Sequence, residues 1–162
     1  MGLSRQCLID IRSRLSLLST TLRDEIGILR NGELSLPTAL NNLIVEINGT
    51  FAIKIEIEDA ISEMPVDPLV GVELYRVIRE LLLNTAKYSQ ANDLLINCDY
   101  DQERIHISLS DDGVEFTHSP DDEETFNRFG LLGIGERIAS LGGTYEYKRI
   151  HLKNHYAISI PL

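Results

Sequence analysis

Residues 80–89 read ELLLNTAKYS, and what this stretch does decides how the rest of the chain must fold. Three consecutive leucines suit a helix packed into a core, yet Glu80, Asn84 and Lys87 stand among them. At about 100° per residue, Glu73, Arg76, Glu80, Asn84 and Lys87 fall within an arc of roughly 80° on a helix, while Leu74, Ile78, Leu81 and Thr85 point the other way. The spacing predicts an amphipathic helix from about Val70 to Tyr88, seated by its leucines. A solvated helix face has the same pattern. The placement of Asn84 one turn after an acid and one turn before a lysine also suits chemistry. Magnesium takes hard oxygen ligands and keeps several waters, so one amide oxygen plus substrate phosphates is a sufficient anchor, and a nearby ammonium neutralises phosphate.

The flanking sequence supplies the layers such a helix needs. FAIKIEIED alternates Ile53, Ile55 and Ile57 against Lys54, Glu56 and Glu58, the period-two pattern of a half-buried strand. After the helix, DLLINCDY and RIHISLS predict two strands joined by the polar turn DQE as an antiparallel hairpin. Residues 113–129 are polar, include Pro120 and the acidic run Asp121 to Glu124, and show no sustained period, which predicts a long loop. LLGIGERIASLGG predicts a short helix closed by Gly142 and Gly143, and GTYEYKRI and HYAISIPL predict two final strands. Upstream, Leu8, Ile11, Leu15, Leu18, Leu22 and Leu29 recur at spacings of three, four and seven. They mark a helix with a narrow apolar seam, fitted either to a partner helix or to its own domain, with Glu25 breaking the seam. Pro37 suits the first turn of a second helix running to about Ile47. The expected fold class is an α/β sandwich, a mixed and largely antiparallel sheet with helices on one face, plus an N-terminal helix.

Composition narrows the partners. A chain of 162 residues is long enough for one compact domain with an appended helix. Fifteen basic against twenty-five acidic side chains give a net charge of −10, which disfavours nucleic acid and leaves no polybasic patch for a membrane surface. An anionic ligand must find its cations locally. No apolar run approaches membrane-spanning length, and the opening MGLSRQCLIDIRSRL lacks the unbroken apolar core of a signal peptide, so the expected setting is cytoplasmic. Cys7 and Cys98 lie far apart without CxxC spacing, as expected of two reduced thiols.

Two further stretches carry potential chemistry. In SLSDDGVEF, Asp111 ends a strand and Gly113 follows two residues later. A carboxylate there can accept from an exocyclic amine, and a glycine lets backbone approach a ligand, although Asp-Gly after a strand is also ordinary turn chemistry. Gly130, Gly133 and Gly135 lead into a helix, where backbone N–H groups can meet an anion or where glycine simply permits loop motion.

Taken in order, these pieces resemble the catalytic ATP-binding domain of sensor histidine kinases, of the GHKL superfamily with its Bergerat-type fold, and most closely the branch that partners NarL-type response regulators. LYRVIRELLLNTAKYSQA is similar to the family's N box, DDGVEF to its first glycine box, and GLLGIGERIASLGG to its second, ending in the terminal IPL. The resemblance runs from about Leu36 to Leu162, and the preceding helix looks like the second helix of the family's dimerisation domain. It implies an N-terminal helical part over 1–32, forming a homodimer in a longer protein, and an ATP-binding catalytic domain over 33–162. By position, it implies that Asn84 ligates the magnesium on ATP, Lys87 and Tyr88 lie by the phosphates, and Glu80 polarises the attacking group. It also implies that Asp111 takes the adenine amino group, that Gly113 lets the base approach, and that Gly130 and Gly133 border a lid made by residues 115–129.

The chain departs from the family pattern in three places. Glu115 stands where the first glycine box ends in glycine, Arg128 stands two residues before Gly130 where glycine is usual, and Lys153 and Asn154 replace a Gly-Thr pair before the last strand. None of the four histidines, His106, His118, His151 and His155, lies on the N-terminal helix, so a phospho-acceptor is expected outside the chain. The rival readings are a degenerate kinase-like regulatory module with weak or no ATP binding, and another GHKL activity such as a serine kinase or an ATPase.

Overall fold

The computed structural model describes residues 5–30, 34–58, 66–115 and 133–162. Helix α1 spans Arg5–Leu29 and α2 spans Leu36–Thr50, followed by strand β1 at Lys54–Glu58. Helix α3 spans Pro68–Tyr88, and β2 (Asp93–Tyr100) and β3 (Arg104–Asp111) follow it. Residues 133–140 form α4, and β4 (Thr144–Ile150) and β5 (Lys153–Pro161) close the chain.

Local signals set these boundaries. Ser35 caps α2 by accepting from the Thr38 N–H, and Asp67 caps α3 by accepting from the Leu69 N–H. Each helix has a proline in its first turn, where the missing N–H costs nothing. Helix α3 therefore starts at Pro68, two residues before the expected Val70. Gly142, at φ +72°, takes the left-handed turn that ends α4, with the Gly143 N–H returning to the Ile138 carbonyl.

The strands form one sheet in the order β1-β2-β3-β5-β4. The β1–β2 pair is parallel, with α3 as its crossover, and the other three pairs are antiparallel. Asp101 tightens the β2–β3 turn by accepting from the N–H groups of Glu103 and Arg104. One sheet face carries Leu94, Ile96, Cys98, Ile105, Ile107, Leu109, Tyr156, Ile158 and Ile160, all buried against the helices. The opposite face is polar. Leu74, Ile78, Leu81 and Thr85 are at most 1% exposed, as the period of α3 requires. Each such aliphatic side chain contributes about 1.5–3 kcal/mol on burial. At the free edge of β1, the Asn48 carboxamide both donates to the Ile55 carbonyl and accepts from its N–H, which satisfies an edge that would otherwise invite another strand.

Helix α1 packs on α2 and α3 with a face the apolar spacing did not single out. Leu17, Thr21, Asp24 and Ile28 are buried, whereas Leu8, Ile11, Leu15, Leu18, Leu22 and Leu29 are 41–62% exposed. The helix thus has two faces. The packed one is held by polar contacts to α3: Arg76 bridges Glu25 and Glu73, Arg79 donates to Thr21, and Tyr75 donates to Asp24, which also accepts from Asn42 of α2. Glu25 is therefore an interface residue rather than a mere break in a seam.

Burial lifts the Asp24 carboxyl above its ordinary 3.8, against the lowering effect of Asn42, Tyr75 and Arg23. The folded chain holds this proton more tightly than the unfolded chain does. The stability advantage is full below 3.8 and is lost as pH rises through the raised value. Asp24→Asn, which removes the buried charge and keeps the shape, should raise the melting temperature at pH 7, with the gain closing as pH falls towards 4. A lower melting temperature at pH 7 would show that the two hydrogen bonds to the carboxylate outweigh its desolvation.

Candidate functional site

The polar stripe on α3 divides into two parts. Its first turns, Glu73 and Arg76, serve the α1 contact. Its last turns hold Glu80 and Asn84, where the Asn84 Nδ2 donates to Glu80 Oε1 at 3.3 Å. Asn84 is 8% exposed, and its amide oxygen accepts no hydrogen bond from the described residues, which leaves it available to a hard cation. Lys87 and Tyr88 follow on the exposed end of the helix.

Ser89 joins this helix end to the loop after β3. Its hydroxyl donates to the Thr85 carbonyl and accepts from the Ala91 N–H, while its carbonyl accepts from the Val114 N–H at 2.7 Å. The loop comes so close that a Cβ built on Gly113 would lie 2.5 Å from the Ser89 carbonyl oxygen and 2.6 Å from its Cβ. Gly113 is thus required by the approach of the loop to α3. Asp112 fixes the other side of the loop by accepting from the N–H groups of Asn92 and Asp93.

Asp111, 1% exposed, lies at the end of β3 on the helix-covered face. Its Oδ1 accepts from the Gly113 N–H at 2.9 Å and from Asn154 Nδ2 at 2.8 Å. Its Oδ2 is buried with no partner among the described residues, as are the hydroxyls of Tyr145 and Tyr156. The Tyr156 hydroxyl lies near Thr85 and Asp111 but makes no hydrogen bond of good geometry. Burial raises the Asp111 carboxyl above 3.8 and Asp112 adds to the rise, while Asn154, the Gly113 N–H and Arg149 oppose it. An orphaned carboxylate oxygen in a buried site needs a donor, because leaving a charged acceptor unpaired costs more than leaving a neutral one unpaired. The site fits a ligand that brings an amino group.

The Lys153–Asn154 pair lies inside β5, not before it. Register places Arg149, Asn154 and Asp111 in one row across β4, β5 and β3. Asn154 is fully buried and its amide is saturated: Oδ1 accepts from Arg149 Nη1 at 2.7 Å and from Tyr147 Oη at 2.9 Å, and Nδ2 also donates to the Val114 carbonyl. Sequence reasoning treated Asn154 as a departure and passed over Tyr147 and Arg149. The alternation of Tyr145, Tyr147 and Arg149 along β4 was the signal that they share a face.

The remaining expected positions are less engaged. Gly133 starts the described part of α4, with open space where its side chain would be. Gly130, Arg128, His118 and the loop 116–129 lie outside the described residues. Glu115 is exposed beside Tyr147, whose hydroxyl proton it helps to retain. His106 is exposed and pairs with Asp101, His151 sits in the β4–β5 turn at φ +48°, and His155 is in β5. The described residues contain no cluster of three metal-ligating side chains and no helix long and apolar enough to cross a membrane.

The loop contact makes a paired prediction. Gly113→Ala should lower the melting temperature by about 3 °C or more, whereas Gly133→Ala should leave it within about 1 °C. Equal effects would show that the loop yields without cost.

No family model matches the chain. The chain is similar to the sensor histidine kinase ComP of Bacillus subtilis (strain 168), 29% identical over 147 residues that cover 85% of this chain and 19% of ComP. It is also similar to the nitrate/nitrite sensor protein NarQ of Escherichia coli (strain K12), 26% identical, covering 89% of this chain and 24% of NarQ. The chain thus spans about a fifth to a quarter of these two relatives. Among solved structures, the histidine kinase domain of the Erythrobacter litoralis EL346 blue-light activated histidine kinase superposes with a TM-score of 0.69 at 16% identity, covering 94% of this chain and 75% of that one. The Acinetobacter baumannii histidine kinase AdeS gives a TM-score of 0.61 at 18% identity, covering 99% and 86%. The chain is therefore a relative of the sensor histidine kinases and has the fold of a histidine kinase domain.

Proposed function

We propose that the chain is the ATP-binding catalytic part of a cytoplasmic two-component sensor kinase, transferring the γ-phosphoryl group of Mg-ATP to a histidine outside this chain. The observation that carries this reading is the buried Asp111 carboxylate, with one oxygen held by two donors and the other lacking a partner, in a chain similar to sensor histidine kinases. Asp111 Oδ2 accepts the amino group of the base. Asn84 offers its amide oxygen to the cation, Lys87 and Tyr88 stand at the phosphate end, and Glu80 polarises the attacking group while orienting Asn84 through their hydrogen bond. Bound magnesium would supply charge neutralisation on the transferring phosphoryl group.

The exposed stripe from Leu8 to Leu29 supports residues 1–32 as a dimerisation helix in a homodimer, and residues 33–162 as the catalytic domain. The onward partner in this reading is a response regulator of NarL type. One observation favours a second reading, a kinase-like regulatory module with weak nucleotide binding: Glu115 places a carboxylate next to Tyr147 at the edge of the Asp111 loop.

Titration with a fluorescent ATP analogue separates the two. The wild type should bind saturably and with magnesium dependence, Asp111→Ala should weaken binding at least about tenfold, and Asn84→Ala should lose most of the magnesium dependence. Absence of saturable binding at millimolar nucleotide would remove the kinase reading. Equal binding by all three proteins would remove the site assignment.

A further inference from the structure

We infer that Asn154 is the positioning residue that makes Asp111 a reader of the 6-amino group, by holding Oδ1 in the row from Arg149 and leaving Oδ2 as the carboxylate oxygen without a partner among the described residues. The inference rests on the nucleotide-binding reading above and adds a determinant of base selectivity to it.

The orientation of the Asn154 amide follows from its neighbours. Arg149 has donors and no acceptor, so the amide atom 2.7 Å from its Nη1 must be the oxygen. The Tyr147 hydroxyl, 2.9 Å away, adds a second donor to that oxygen. The NH2 group is thereby turned to Asp111 Oδ1 at 2.8 Å and to the Val114 carbonyl at 3.1 Å. Arg149 also donates to the Gly113 carbonyl at 3.1 Å, so one guanidinium braces both the asparagine and the loop. The charged and titratable groups around Asp111 are Arg149 and Tyr147 from β4, Tyr156 from β5 and Asp112 of its own loop.

Two N–H donors fill Oδ1, and Oδ2, without a partner among the described residues, is the oxygen left for a ligand; in the charged form it is an acceptor only. An amino group satisfies it. A 6-oxo group would set lone pair against lone pair, which a buried site penalises by leaving both groups unpaired. Replacing the Asn154 NH2 by a carboxylate oxygen would put two acids in contact, so one must retain a proton. Asp111 could then donate, and the distinction between amino and oxo would fade.

The test compares ATP with inosine triphosphate, which carries a 6-oxo group and an N1 proton, on wild type, Asn154→Asp and Asn154→Ser, with folding checked by circular dichroism. The wild type should favour ATP by at least about tenfold, and both variants should lower that ratio at least about threefold. A purely structural role would weaken both nucleotides together and leave the ratio intact. A wild type that binds ATP without preference, or a folded variant with an unchanged ratio, overturns the inference and leaves the functional reading standing. Failure of the wild type to bind either nucleotide overturns the functional reading itself.

Discussion

The site depends on one contact between neighbouring strands, the hydrogen bond from Asn154 Nδ2 to Asp111 Oδ1. It exists because β3 and β5 pair in a register that sets Asp111 opposite Asn154, on the face covered by the helices. A buried carboxylate is costly, and a hydrogen bond to a charged group returns about 1.5–3 kcal/mol. Two such bonds on one oxygen, from Asn154 and the Gly113 N–H, keep the group in place while leaving its other oxygen unsatisfied. Arg149 and Tyr147 complete the arrangement from β4 by fixing the far end of the asparagine.

The same economy of polar contacts ties the helices together. The loop after β3 closes on α3 through Ser89, so the end of the helix bearing Asn84 and the end of the strand bearing Asp111 are tied by a contact that leaves no room for a side chain at Gly113. At the other end of α3, Tyr75, Arg76 and Arg79 reach α1. A single rigid helix therefore connects the N-terminal helix to the candidate site.

Much of this was legible in the sequence because it obeys simple periods. The alternation in FAIKIEIED and RIHISLS located strands, the leucines around Asn84 located the core helix, and the Gly142-Gly143 stop located the end of α4. Asn84 was legible as a candidate because it stands among leucines, and Asp111 because it ends a strand two residues before a glycine. What the sequence hid was register. Nothing in LKNHY shows that Asn154 falls inside a strand opposite Asp111, since pairing partners 43 residues apart are set by the whole sheet. The packed face of α1 was hidden for a related reason: Thr21 and Asp24 look like surface residues until Arg79, Asn42 and Tyr75 supply their partners.

The most direct measurement is a crystal structure of the chain with magnesium and a non-hydrolysable ATP analogue. The account predicts the exocyclic nitrogen of the base within about 3.2 Å of Asp111 Oδ2, with Asn154 still donating to Oδ1. A base bound elsewhere, or an Asn154 amide turned to the nucleotide in place of Asp111, would contradict it.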